Sequence, residues 1–578
     1  MKRIVNSLLY PIRRNPLFYT ALLLLFGMSV VFVEYAGCSR VRALLEMFFD
    51  AYLLCLLVSM VPGQMRRCFK QVLYAFFYIV GLADMLSFCI TGMPLMPNVL
   101  QTWFQTNVGE ATEALHSYLS WSLLATPVVL FLVFPLLLWY MGKRRFAISR
   151  KAAGCLFCLF CLTVVSLLLG IGNKRYLYHV YTRQSDDDMQ EFVDIESQTH
   201  EYLPVYRLGL SLKEMARFST MRATLLDVAK ATQADSCTFD SPLMVLLIGE
   251  SYNRHHASLY GYDKPTTPHQ EQLKTMGSLH AFSDVIASYN LTFKSFQNML
   301  TFYDYDSSGK WYAYPMVTTL FRSAGYEVDF FSNQYTLDKS SAFSDYTEDV
   351  FMNNPAITRY QFDRRNDRSH PYDMDLLDDF HRHIDLDSDD RPRLVIFHFA
   401  GIHVDYARRY PEGYGRFSVT DYDRHALTSE QKQTMAHYDN AVLYNDAVVD
   451  SIVSTVKNRD AIVVYVPDHG ELVFDDNMEY GRNFLLTREY IRPQYDIPFW
   501  IYCTDAYRKR RPETVRQIAS SVDKPFMTDD LPHLLVGLAG IRCKDYRPER
   551  DLISPLFDTN RRRLIGGQTD YDAVCRQP

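Results

Sequence analysis

The stretch Pro242-Leu-Met-Val-Leu-Leu-Ile-Gly-Glu250-Ser251 decides the fold, because a continuous apolar run that stops at Gly-Glu is typical of a buried strand. A second run, Ala461-Ile-Val-Val-Tyr-Val-Pro-Asp468-His469-Gly-Glu471, ends on polar side chains in the same way. Parallel sheets gather their ligand-binding side chains at the carboxyl ends of the strands. The two runs therefore predict that Glu250, Asp468 and His469 meet at one edge of a sheet.

These three side chains are of the types that bind metal ions. Two carboxylates and an imidazole suit zinc or manganese better than they suit magnesium or calcium. We therefore expect Zn²⁺ as the cofactor, with Mn²⁺ as the less favoured ion.

Further apolar runs give the second half of the chain an alternation of strands and helical segments. Such an alternation predicts an α/β/α sandwich, in which helices cover both faces of a mainly parallel sheet. The predicted strands lie at 243–248, 326–331, 394–399, 461–466 and 497–502.

The first 172 residues are far more apolar than the rest and predict a membrane domain. Lys and Arg concentrate at the N terminus and near 66–70 and 143–151, which places those segments in the cytoplasm. An odd number of crossings then places the remainder of the chain on the opposite side. Five apolar stretches of roughly 20 residues, the length that crosses a bilayer core, lie at 17–36, 43–61, 72–91, 121–141 and 152–172.

Three parts follow from this pattern. We expect a transmembrane domain with five helices at 1–172, a helical connector along the membrane surface at 173–240, and a catalytic domain at 241–578.

The net charge of -6 and the lack of a basic cluster on the soluble part argue against a nucleic-acid partner. Seven of the 11 cysteines lie in or near the apolar stretches. The other four could form up to two disulfides of open pairing, namely Cys237, Cys503, Cys543 and Cys575.

Two more polar clusters follow apolar runs. In Leu394-Val-Ile-Phe-His398-Phe-Ala-Gly-Ile-His403, His398 falls within the strand, where a core histidine is the commoner case, whereas His403 lies in a loop and is expected to face a site. Thr292 and Ser295 place hydroxyl groups just beyond another short apolar run.

In this order the motifs resemble the membrane-bound phosphoethanolamine transferases of Gram-negative bacteria, which belong to the alkaline-phosphatase and sulfatase superfamily. The resemblance covers almost the whole chain and implies an alkaline-phosphatase-like fold. It is carried by Gly249-Glu250-Ser251 with Ser258-Leu-Tyr-Gly-Tyr262, by His398-Phe-Ala-Gly-Ile-His403 before Arg409-Tyr-Pro411, and by Asp468-His-Gly-Glu471.

The resemblance implies a nucleophile and a ligand set. Thr292 corresponds to the family's nucleophile, and its oxygen would join Glu250, Asp468 and His469 as the fourth zinc ligand. Ser251, adjacent to Glu250, is the alternative nucleophile. His403 would contact a phosphoryl oxygen or the leaving group, and His398 is a further candidate for substrate contact.

The resemblance also implies the reaction and its place in the cell. Phosphoethanolamine would pass from phosphatidylethanolamine to lipid A, core oligosaccharide or another envelope glycan through a phospho-threonine intermediate. The protein would be a multi-pass protein of the bacterial inner membrane with its catalytic domain in the periplasm. Glu110 matches a loop that contacts the lipid donor in the family, and Asp84 or Asp50 would help it to bind the cationic headgroup.

Two departures from the family's pattern leave alternatives open. No Cys flanks Thr292 within 289–301, and 472–483 contain no His, so a second metal or a phosphate-binding His has no counterpart there. A phosphoglycerol transferase of the same superfamily and an inactive envelope protein that binds glycans are the two alternatives. The Cys-x-Pro-x-Arg or Ser-x-Pro-x-Arg signature of sulfatases is absent around Thr292.

Overall fold

The chain forms two compact units, Met1–Ser219 and Thr220–Pro578. The structure is a computed structural model, and it describes residues 2–32, 39–91, 94–95, 100, 132, 135–136, 139–140, 143, 146–169, 174, 177–178, 181, 202–334, 350–387, 390–475, 478–483 and 485–575.

The first unit is built from long apolar helices. Bulky side chains fill the spaces between them, as where the rings of Tyr52 and Phe160 lie 4.2 Å apart. The helices are α1 (Lys2–Arg14), α2 (Pro16–Phe32), α3 (Ser39–Met60), α4 (Gly63–Thr91), α5 (Arg150–Leu168) and the start of α6 (Pro204–Ala231).

Two helical segments among the described residues, Arg40–Met60 and Gly63–Phe88, are long and apolar enough to cross a membrane. The segments Arg3–Arg14 and Pro16–Val31 make a third candidate if the pair, which is bent by 69°, is one span. The structure therefore supports two or three of the five expected spans. The predicted span at 121–141 lies almost entirely outside the described residues.

The second unit contains a seven-stranded sheet. Every residue of Leu243–Gly249 and of Ala461–Pro467 is buried, because both faces of the sheet are covered. In chain order the strands are β1 (Leu243–Gly249), β2 (Leu279–Phe282), β3 (Glu327–Ser332), β4 (Arg364–Arg365), β5 (Arg393–His398), β6 (Ala461–Pro467) and β7 (Phe499–Cys503).

The strand order across the sheet is β2-β7-β6-β1-β5-β3-β4. The pairs from β6 to β4 are parallel, but β7 runs antiparallel to both of its neighbours. The sheet is therefore mixed, and the expectation of parallel pairing fails for the predicted strand at 497–502. β1 lies at the centre between β5 and β6, so the ends of these three strands are adjacent.

Helices pack over the sheet and cap it. The longest, Ser429–Val456, begins with a capping box in which Thr428 and Gln431 exchange hydrogen bonds, and it buries Val448 and Val449 in the core against the sheet. The helices of this unit are α7 (Pro268–Thr275), α8 (Thr292–Met299), α9 (Val317–Ser323), α10 (Val350–Asn353), α11 (Pro355–Thr358), α12 (Leu376–His383), α13 (Ser429–Val456), α14 (Arg488–Tyr495), α15 (Asp505–Arg510), α16 (Pro512–Ser520), α17 (Leu531–Ala539) and α18 (Tyr571–Cys575).

Separate two-stranded sheets accompany the seven-stranded sheet. One of them, Leu472–Val473 with Tyr480–Gly481, follows the end of β6 directly. The others pair Ser236–Cys237 with Ile541–Arg542, Val285–Ile286 with Phe526–Met527, and Leu564–Ile565 with Thr569–Asp570.

The cysteines that sequence left open for disulfide formation are all free thiols. The expectation of up to two disulfides is therefore not met in this structure. These cysteines are Cys237, Cys503, Cys543 and Cys575.

Candidate metal centre

Two neighbouring strands carry the predicted ligands to the carboxyl edge of the sheet. Gly249 of β1 lies opposite Pro467 of β6, so Glu250 and Asp468 are the next residues of the two strands. One ligand atom each from Glu250, Asp468 and His469 lie within 4.8 Å of one another, and all three residues are buried. The structure thus brings together the three side chains that the ends of the apolar runs indicated.

Thr292 lies beside this cluster at the start of α8. Its Oγ1 donates a hydrogen bond to Glu250 Oε2 over 3.1 Å and lies 3.5 Å from His469 Nε2. Ser251, the alternative nucleophile, is fully buried, and its hydroxyl donates to Glu250 Oε1 over 2.8 Å. Because Thr292 is only partly buried, it is the hydroxyl of the two that a substrate can reach.

The hydrogen bond at Nδ1 orients the imidazole of His469. This nitrogen lies 2.7 Å from the carbonyl oxygen of Gly470, which can only accept, so Nδ1 carries the proton. The lone pair of Nε2 then points to the carboxylates, 3.3 Å from Asp468 Oδ2 and 3.5 Å from Glu250 Oε1. This arrangement is the one that metal-binding histidines adopt.

Two glycines permit the close approach of the loops around the cluster. A Cβ atom at Gly401, whose φ is +54°, would lie 2.8 Å from the backbone nitrogen and the Cβ of Glu250. A Cβ atom at Gly470 would lie 2.2 Å from the carbonyl oxygen of Pro493. Any larger residue at either position would push a ligand-bearing segment away.

The charges of the cluster are not balanced by its own side chains. Burial raises the pKa of Asp468, and the negative charge of Glu250 raises it further. Burial also disfavours the charge of Glu250, but the positive charge of Arg482 and the hydrogen bond from Gln334 outweigh it and hold the pKa of this carboxyl below its usual range. Burial and the charge of Arg482 lower the pKa of His469 to about 3, which keeps the imidazole neutral.

These residues fit a zinc ion. The buried Oδ2 of Asp468 accepts no hydrogen bond from any described residue, although a buried carboxylate oxygen normally has a partner. A neutral imidazole, two carboxylates and a hydroxyl are ligands that zinc accepts, and a cation would offset the repulsion between the carboxylates. Glu250, Asp468, His469 and Thr292 are therefore the residues that would hold it.

His403 and His398 occupy different environments. His403 is partly exposed in the loop after β5, where its backbone oxygen accepts a hydrogen bond from Arg409 Nε over 2.8 Å. His398 is fully buried: Nδ1 lies 3.0 Å from Ser332 Oγ, and the ring packs against Phe296. The structure thus places His398 in the core, and its contact with a substrate stays a prediction.

Two residues next to Glu250 were not predicted as site residues. Gln334 Nε2 donates to Glu250 Oε2 over 2.9 Å and to the carbonyl oxygen of Phe399 over 2.8 Å. Arg482 Nη2 lies 3.4 Å from Glu250 Oε1. Gln334 follows the end of β3, a neighbour of β5, so the strand-end rule could have found it. Arg482 stands alone in the stretch where the family pattern would have a His.

Two buried acidic residues of the membrane unit, Asp84 and Asp50, already have cationic partners. Arg207 donates to Asp84 through Nε over 2.7 Å and through Nη2, and both side chains are buried. Lys174 pairs with Asp50, which also accepts a hydrogen bond from Tyr206. The expectation that Asp84 or Asp50 holds a cationic headgroup is therefore not supported, because each carboxylate is neutralised within its own unit. Glu110 lies outside the described residues.

A metal-ligand cluster at the carboxyl ends of a largely parallel sheet is the arrangement of an α/β metalloenzyme. Residues 242–541 match the model of the Sulfatase family, and the chain belongs to this family.

Individual relatives show which members of this family the chain is similar to. The chain is 26% identical to the phosphoethanolamine transferase EptC of Escherichia coli over 94% of its own length and 93% of that protein. The crystal structure of the C-terminal periplasmic domain of the Escherichia coli EptC in complex with zinc matches with a TM-score of 0.50 and 30% identity, over 57% of this chain and 92% of that domain. The resemblance to the phosphoethanolamine transferases is thereby confirmed.

The fold of the whole chain also has a counterpart. The integral membrane lipooligosaccharide phosphoethanolamine transferase EptA of Neisseria meningitidis matches with a TM-score of 0.51 and 18% identity. The match covers 93% of this chain and 98% of that protein, so the two share a fold that includes the N-terminal helical unit.

Proposed function

We propose that this protein is a zinc-dependent transferase that moves phosphoethanolamine from phosphatidylethanolamine to lipid A, core oligosaccharide or another envelope glycan. The observation that carries the proposal is the position of the Thr292 hydroxyl, 3.1 Å from Glu250 within the Glu250, Asp468 and His469 cluster. The relatives that match nearly the whole chain are phosphoethanolamine transferases, which supports the same group and the same class of reaction.

Two half-reactions account for the transfer. First, Thr292 Oγ1 attacks the phosphorus of the donor, the bond from phosphorus to the diacylglycerol oxygen breaks, and the proton lost by Thr292 ends on diacylglycerol. An oxygen of the acceptor then attacks the phosphorus and releases Thr292 as the free alcohol. A bound zinc ion would supply a lower pKa for the Thr292 hydroxyl and would offset charge on the phosphoryl oxygens.

His403 is the side chain that we assign to the leaving group. It is partly exposed at the carboxyl edge of the sheet, and Arg409 fixes its loop through hydrogen bonds to the backbone oxygens of His403 and Val404. An imidazole can give a proton to the departing oxygen in the first step and accept one in the second.

The donor and acceptor set the location of the protein. A lipid donor and an envelope glycolipid acceptor require an enzyme at the inner membrane with its catalytic unit in the periplasm. The apolar helices Arg40–Met60 and Gly63–Phe88 support a membrane anchor. We retain Glu110 as the candidate contact of the donor headgroup.

Mass spectrometry tests the proposal directly. Lipid A, core oligosaccharide and periplasmic glycans from cells with and without the gene should differ by the mass of phosphoethanolamine on one of the three. A mass difference of phosphoglycerol would instead support the superfamily alternative. Absence of any difference, together with purified protein that contains no zinc, would support the inactive glycan-binding alternative.

A further inference from the structure

Arg482 reaches the metal-ligand cluster from a short loop that follows β6. Its Nη2 lies 3.4 Å from Glu250 Oε1 and 3.4 Å from Ser251 Oγ. The side chain is 25% exposed, whereas Glu250, to which it is paired, has no exposed surface. The side chain of Arg482 therefore contacts the cluster and is also partly exposed to solvent.

The antiparallel pair of Leu472–Val473 and Tyr480–Gly481 brings the chain back to the cluster just before Arg482. Leu472 follows the motif residue Glu471 and pairs with Gly481 in antiparallel register. Gly481 has a φ of +85°, a conformation that favours glycine. Because Leu472 and Gly481 are partners, residue 482 lies across from Glu471, at the edge where the ligands of β6 are found.

The guanidinium of Arg482 forms no short ion pair with a carboxylate of the described residues. Charge-assisted contacts between Arg and carboxylate are typically about 2.7–2.9 Å long, and both contacts of Arg482 are longer. Among the described residues these two contacts, both through Nη2, are its hydrogen bonds. A guanidinium has five N–H donors in a planar fork, so Nε and Nη1 retain donors for an oxyanion.

The nucleophile and the guanidinium share one carboxylate. Thr292 Oγ1 contacts Glu250 Oε2, and Arg482 Nη2 contacts Oε1 of the same group. A phosphoryl group that is attacked by Thr292 therefore lies within reach of Arg482. Among the described residues, no other Lys or Arg forms an ion pair with Glu250 or Asp468.

We propose that Arg482 binds the phosphoryl oxygens of the group in transfer. It would supply, as a fixed positive charge, the stabilisation that a second metal ion or a protonated His would give. An arginine keeps its charge at every physiological pH and matches a phosphate with two parallel donors, which neither Lys nor His can do. The inference rests on the proposed transfer through Thr292 and names the residue that holds the transferred group.

The experiment uses the full-length, zinc-loaded protein in detergent and compares Arg482→Ala, Arg482→Lys and the exposed control Arg488→Ala. Binding of inorganic phosphate is measured by calorimetry, and hydrolysis of bis(p-nitrophenyl) phosphate gives kcat/KM. Losing one preorganised donor to a transition-state oxyanion costs about 100- to 1000-fold in kcat. We expect a loss of this size and weaker phosphate binding in Arg482→Ala, smaller losses in Arg482→Lys, and none in the control.

Two readouts separate binding of phosphate from support of Glu250. Zinc content should be unchanged in Arg482→Ala, and added guanidinium chloride at non-denaturing concentration should restore part of its activity. Loss of zinc together with activity, or phosphate binding equal to wild type, would overturn the inference. Failure of the proposed function shows up separately, as wild-type cells that add no phosphoethanolamine to their envelope glycolipids.

Discussion

At the scale of single residues, the proposed transfer depends on Thr292. Thr292→Ala removes one hydroxyl and leaves Glu250, Asp468 and His469 in place, so transfer should be abolished while the protein stays folded. Thr292→Ser keeps an oxygen at the same position and should retain activity. The measurement is phosphoethanolamine transfer, supported by the mass of the peptide that contains Thr292 in trapped enzyme. Full activity in Thr292→Ala would shift the role to Ser251.

The three remaining ligands are expected to behave differently from Thr292. Glu250→Ala, Asp468→Ala and His469→Ala should each lose zinc as well as activity, because a site with few protein ligands becomes under-coordinated when one is removed. Zinc per protein, measured by elemental mass spectrometry, is the readout. His381→Ala, at an exposed position on α12, is the matched control and should keep its zinc. Normal zinc content in all three ligand variants would refute the metal assignment.

The two histidines of the β5 motif should separate chemistry from stability. His403→Ala should lower turnover by about a hundredfold or more, the usual contribution of a general acid or base, and should keep both zinc and the melting temperature. His398→Ala removes a buried ring that packs on Phe296, and truncating a large core side chain costs on the order of 3 kcal/mol. Thermal unfolding and kcat for both variants check this division. Equal small effects from both would contradict it.

At the scale of elements, the loop after β5 must lie against the end of β1. A Cβ atom at Gly401 would approach Glu250 too closely, and the φ of +54° adds strain for any other residue. Gly401→Ala should therefore displace Glu250, weaken zinc binding and lower the melting temperature. Gly413→Ala is the matched control, since a Cβ there meets no atom within 4 Å. If both variants bind zinc equally well, the close approach does not position the ligand.

The strands were predictable from sequence because their signal is local. Apolar runs that end on Gly-Glu and Pro-Asp-His fixed β1 and β6, and parallel pairing then brought Glu250 next to Asp468. The antiparallel direction of β7 carries no such signal, since a buried strand reads the same in both directions. Gln334 follows the end of β3, so the strand-end rule applied to that strand could have found it. Arg482 reaches Glu250 only through tertiary contacts, so its own sequence neighbourhood shows nothing of the metal centre.

At the scale of the whole molecule, composition separated a membrane part from a catalytic part, and the structure divides the chain at Ser219. Hydropathy alone counted five spans, whereas two or three helices among the described residues meet the combined criteria of length and apolarity. Sequence also could not distinguish a membrane carboxylate that binds a ligand from one that is already paired. Asp84 is already paired in the structure. Its partner Arg207 lies more than a hundred residues away in the chain, so the sequence around Asp84 gives no sign of the pair.

The pair of Asp84 and Arg207 should therefore stabilise the membrane unit rather than recognise the donor. Arg207 also donates to Ser29 Oγ over 2.7 Å, and it has no exposed surface, so Asp84→Ala removes the carboxylate that pairs with a buried cation. Breaking such a pair costs about 3–5 kcal/mol, and the melting temperature of the full-length protein in detergent should fall clearly.

Replacing both Asp84 and Arg207 by apolar residues is a second test of whether the pair stabilises the membrane unit. Asp84→Leu combined with Arg207→Met removes both charges together, so much of the lost stability should return, since apolar residues of similar size often replace a buried ion pair without cost. Asp227→Ala, in the exposed pair with Lys230 on α6, is the control and should leave the melting temperature unchanged. If Asp84→Ala unfolds at the wild-type temperature but uses phosphatidylethanolamine poorly, Asp84 contacts the headgroup after all, and its pairing with Arg207 must then open when the donor binds.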